Sequence, residues 1–131
     1  MKKIYTILAC LLVFGCSGNK IQPITTVDYS FPTTVPVEKM EEAIVLGATE
    51  RGWTAKKVSD GVISAQLNSR GHEVVVLVNY TGRGYEIKYR SSKNMLYSSD
   101  DNMIHKKYTK WVNNLSEKIR TKLYRLKAVK E

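Results

Sequence analysis

The spacing of apolar residues changes several times along the chain, and each change marks an element. Ile4 to Gly15 is apolar but for Thr6, and two lysines, Lys2 and Lys3, precede it. Residues 17–36 are mostly polar, with Pro23, Pro32 and Pro36 among Ser, Thr, Asn and Gln. From Val37 the period becomes helical: Met40, Ile44 and Gly47/Ala48 share a face, Glu38, Glu41 and Glu42 come early, and Gly52 follows Arg51 as a stop. Gly47 on that face would either let another backbone approach closely or merely weaken the helix.

Between residues 53 and 90 the period is two. Trp53 to Val58 leads into Ser59-Asp60-Gly61, whose Asp-Gly pair is a hairpin signal. Ile63, Ala65 and Leu67 then alternate with Ser64, Gln66 and Asn68, giving one buried and one wet face. Val74 to Val78 is apolar on both faces, the mark of a central strand. Thr81-Gly82-Arg83-Gly84 reverses the chain into Tyr85, Ile87 and Tyr89. After a polar loop over 91–102, a second helix is predicted from Met103 to Lys127, N-capped from Asp100, Asp101 or Asn102. Its apolar face carries Ile104, Tyr108, Trp111, Val112, Leu115, Ile119, Leu123 and Leu126. The expected fold is α+β, ordered α-β-β-β-β-α: an antiparallel sheet of about four strands flanked by an N-terminal helix and a long C-terminal one. This order resembles helix-grip domains in layout only.

The first fifteen residues read as a targeting segment, with a basic start and an apolar run. As a helix that run would span about 18 Å, too short for a hydrocarbon core of about 30 Å. Val13-Phe14-Gly15-Cys16 resembles the lipobox of bacterial lipoproteins, while Ile7-Leu8-Ala9-Cys10 matches it more loosely and leaves too short an apolar run. Phe14 is not the commonest residue at its place. The resemblance implies cleavage before Cys16, diacylglycerol on its sulfur and acylation (palmitate) of the new N-terminus, a membrane anchor. Ser17 in the next place points to the outer membrane, with the domain facing the periplasm. Both cysteines are then spent, so no disulfide, Cys-based metal site or thiol nucleophile remains. The expected organisation is a signal peptide over 1–15, a lipidated N-terminus and tether over 16–36, and one domain over 37–131. Val27, Tyr29 and Phe31 alternate, so a short edge strand within the tether is the alternative.

Charge sharpens this picture. The net charge is +9, but residues 16–102 hold ten basic and ten acidic residues. Residues 103–131 hold nine basic residues against Glu117 and Glu131. Lys106, Lys107, Lys110, Arg120 and Arg125 lie broadly opposite the apolar stripe of the second helix. One reading is a solvated face that suits the dipole of a helix C-terminus. The other is a contact surface for anionic headgroups, lipopolysaccharide phosphates, peptidoglycan carboxylates or an acidic envelope protein. The leader argues against nucleic acid as a partner.

No catalytic motif is present. His72 and His105 lack metal-ligand spacing, Asp100 and Asp101 suit a turn, and Thr81-Gly82-Arg83-Gly84 lacks the spacing of a phosphate loop. No enzymatic activity, metal or cofactor is implied. Two further features could bind: Met95-Leu96-Tyr97, apolar in a polar loop, and the second sheet face, with Val75 and Leu77 beside Ser64 and Gln66. The sequence therefore points to a lipid-anchored envelope protein that binds or scaffolds without catalysis. The alternative is a small-ligand domain with a cavity between sheet and long helix.

Overall fold

The structure, a computed structural model, describes residues 20–128. The leader, Cys10 and Cys16 lie outside the described residues. The fold is α+β: a five-stranded antiparallel sheet, a small two-stranded sheet and two helices on one face of the larger sheet.

Helix α1 spans Val37–Glu50, and Gly52, at φ +86°, turns the chain out of it. Strands β3 (Thr54–Ser59), β4 (Val62–Ser69), β5 (His72–Thr81) and β6 (Gly84–Lys93) follow as hairpins. The sheet order is β2-β6-β5-β4-β3, so the doubly apolar β5 is central, as its pattern required. In β6, Val75 pairs with Ser91 and Val76 with Tyr89, which leaves Arg90 as the extra residue of a bulge.

In the segment read as a tether, the alternative edge strand is the one that forms. Residues 20–36 belong to the folded unit. β1 (Ile21–Pro23) pairs with β7 (Met103–His105), and β2 (Val27–Ser30) is an edge strand on β6. Phe31 and Val35 are buried in the core. Their backbone amides donate to the carbonyls of Arg83 and Gly82, at 2.6 and 2.8 Å. Gly84 makes this possible, because a Cβ there would strike the Tyr29 carbonyl.

The second helix also starts later than predicted. Met103–His105 is strand, and α2 spans Lys107–Ala128. Asp100, Asp101 and Asn102 do not cap it. Instead Nδ1 of His105 accepts the Lys107 backbone N–H at 3.0 Å.

The core lies between the sheet and both helices. Ile63, Val74, Val76, Val78 and Ile87 face Leu115, Ile119, Met40 and Ile44, all fully buried. The Tyr85 hydroxyl donates to the Ser116 carbonyl at 3.0 Å and pairs with its Oγ at 2.6 Å. Burial pushes that phenol up to about 12, so it stays neutral in the core. The helices cross at Gly47, where an added Cβ would lie 2.8 Å from the Ile119 backbone nitrogen. Of the two readings of Gly47, close backbone approach is the one the fold uses.

Candidate functional site

The five basic residues assigned to one helix face do not form one surface. Lys107 opens α2, and Lys106 sits just before it; the Lys106 amide donates to the Lys20 carbonyl at 2.8 Å. Lys106, Lys107 and Lys110 are exposed, and among the described residues no carboxylate comes within ion-pair reach of them. Arg120, half-buried, lies 5.5 Å from the centre of the Tyr29 ring on β2. Arg125 is exposed in the last turn with Lys127, where cations suit the dipole.

Other cations on α2 are structural. Lys118 and Lys122 both pair with Glu50 of α1, Lys118 at 3.2 Å, and Arg51 meets Glu117 at 3.7 Å. The Lys122 and Lys118 ammonium groups hold the Glu50 carboxyl below the usual carboxylate range. Lys127 lies 5.1 Å from the Phe31 ring centre.

The dipole explanation therefore fails for the first turn. Lys106, Lys107 and Lys110 gather at the positive end of α2, with no acid in that turn. Each such placement is unfavourable by a few tenths of a kcal/mol. A local rule broken on the surface, with no internal partner, is what a contact surface looks like.

The fold adds residues that sequence reasoning kept apart. His72, at the start of β5, and His105, at the end of β7, come within 6.0 Å of each other, and His72 within 6.2 Å of Trp111. Nδ1 of His72 donates to the Asn94 carbonyl at 2.6 Å, and the Asn94 amide donates to Gly71 at 3.2 Å. Burial, then Lys107, His72, Lys106 and Lys20, push the His105 imidazole below the ordinary value of 6.5. One end of the molecule thus combines Lys20, Arg70, Lys106 and Lys107 with two histidines. The only signal for this in the sequence was the basic run at 106–110.

The apolar loop is divided in the same way. Met95 is 1% exposed and closes the core, whereas Leu96 and Tyr97 are 57% and 43% exposed beside β7. Tyr97 stacks on Tyr89 at 4.7 Å. The second sheet face, which carries Val75 and Leu77, packs against neither helix, and both residues are half-buried among polar neighbours.

At the opposite, hairpin end, an open hollow of about 580 Å³ is lined by Asp28, Asp60, Asn79, Arg83 and Glu86 among others. Asp28 and Glu86 face each other across β2 and β6, and Asn79 donates to Glu86 at 3.3 Å.

Comparison with protein-family models, with curated proteins and with solved structures finds no match. The site must be read from its own chemistry. Among the described residues no group of three or more His, Cys, Asp or Glu side chains could hold a metal ion. Nor is any described helix long and apolar enough to cross a membrane.

Proposed function

We propose that this chain is a cell-envelope protein anchored by lipid at Cys16, with a domain that binds or scaffolds rather than catalyses. Its contact surface is the basic first turn of α2 and the neighbouring residues of the same end. One observation carries this reading: Lys106, Lys107 and Lys110 sit at the positive end of a helix dipole without a carboxylate partner among the described residues. The leader pattern supports the compartment, and the compartment limits the partners to anionic envelope surfaces or acidic envelope proteins. A grip-like ligand cavity finds less support. Tyr85, Ile87, Leu115, Ser116 and Ile119 fill the space between β6 and α2.

The test is the intact mass and fractionation of the native protein beside Cys16→Ser. The expected result is a chain that begins at Cys16, carries acyl mass and follows the membrane, with the variant unprocessed. A full-length, unacylated chain in the soluble fraction would overturn the reading.

A further inference from the structure

We infer that, in the anchored protein, the end bearing Lys20, Lys106 and Lys107 lies on the anionic phospholipid headgroups of the membrane that holds the acyl chains. This deepens the proposed function and rests on lipidation of Cys16. The described residues begin at Lys20, whose carbonyl accepts the Lys106 amide N–H. Only three residues, Ser17 to Asn19, separate Lys20 from Cys16, so the two lie at most about 14 Å apart along extended chain. A tether as long as the sequence suggested would let the domain stand off or pivot; three intervening residues hold this end at the surface. The Debye length at physiological salt is about 8 Å, so the lysines remain within about two screening lengths of the headgroups.

The chemistry of this end suits that position. Lys106 and Lys107 are exposed beside Lys20, and Arg70 in the β4–β5 turn adds a fourth cation. The acids of this end are Glu73, which accepts the Gln66 amide at 3.3 Å, and Asp100 and Asp101 in the Ser98–Met103 turn. Exposed Leu96 and Tyr97 supply the apolar and aromatic groups that settle among headgroups. β5 has ten residues, so the hairpin end lies about 30 Å further from the bilayer. The hollow lined by Asp28, Asp60 and Glu86 consequently faces away from the membrane.

The experiment uses the acylated protein in phosphatidylcholine vesicles with and without phosphatidylglycerol. Maleimide labelling is followed at Leu96→Cys and at Asp60→Cys, both exposed positions. The expected result is labelling of Leu96→Cys slowed about tenfold by phosphatidylglycerol, with Asp60→Cys unchanged and salt restoring the rate. Adding Lys107→Gln should reduce the protection about fivefold. Equal rates on both vesicles for a protein that floats with them would overturn the docking while leaving the anchor intact. Protection on envelope fragments but on neither lipid mixture would overturn it in favour of an acidic protein partner. A chain without acyl mass that fails to float would overturn the anchor beneath both.

Discussion

Both halves of α2 carry cations, and the fold treats them differently. In the second half, Lys118 and Lys122 meet Glu50, Arg120 lies over Tyr29, and Arg125 and Lys127 sit at the negative end of the helix. Every one of those cations has a reason within the fold or its dipole. In the first turn, Lys106, Lys107 and Lys110 oppose the dipole and meet no carboxylate among the described residues. Composition alone treats the two groups as one basic helix. The contrast teaches that charge excess identifies a contact surface only after the internally satisfied charges are subtracted.

The largest expected effect should not distinguish the halves. Leu115 is fully buried between them, and Leu115→Ala should cost about 2–5 kcal/mol of unfolding free energy, read by urea titration. A loss near zero would break the shared core on which the comparison rests. Gly47→Ala should cost about 1–3 kcal/mol, because the new methyl meets the Ile119 backbone in the second half. Lys107→Glu sharpens the contrast by its sign. It should raise stability by about 0.5 kcal/mol, since an acid replaces a cation at the positive end, while weakening contact with an anionic surface.

The smallest effect is a pH dependence. The folded state holds the His105 imidazole below 6.5, and its Nδ1 must stay unprotonated to accept the Lys107 N–H. This contribution to stability is complete above pH 6.5 and is lost as pH falls through the folded value. His105→Asn, whose side-chain oxygen accepts without titrating, should flatten the urea midpoint across that window. An unchanged slope would remove His105 from the cap.

The long elements were legible in the sequence because their periods are strong. α1, β3 to β6 and the apolar stripe of α2 follow the pattern closely, and close approach was one of the two readings of Gly47. β1 and β7 were not legible, since three residues carry no period and Pro23 speaks against a strand. Ile104 misled the start of α2: it is buried in strand β7, yet lies four residues before Tyr108, as a helical face would place it. For residues 20–36 the prolines and threonines signal a linker, but the alternative edge strand is the one that forms: β2 pairs with β6, and Phe31 and Val35 dock through their backbones onto Arg83 and Gly82. The candidate site was legible only at Lys106, Lys107 and Lys110. Lys20, His72 and His105 are far apart in sequence: pairing of β1 with β7 brings Lys20 beside His105, and packing of the small sheet against the larger one brings His72 to them.

If the first turn of α2 and its surroundings make the contact and the second half does not, hydrogen exchange of the acylated protein on vesicles with and without phosphatidylglycerol will separate the two. The first amides of a helix have no intrahelical partner and exchange readily, so contact there is easily seen. Exchange within residues 94–110 should slow on anionic vesicles, with no slowing at 118–127. Slowing confined to 118–127, or exchange identical on both vesicles, would rule out contact through the first turn.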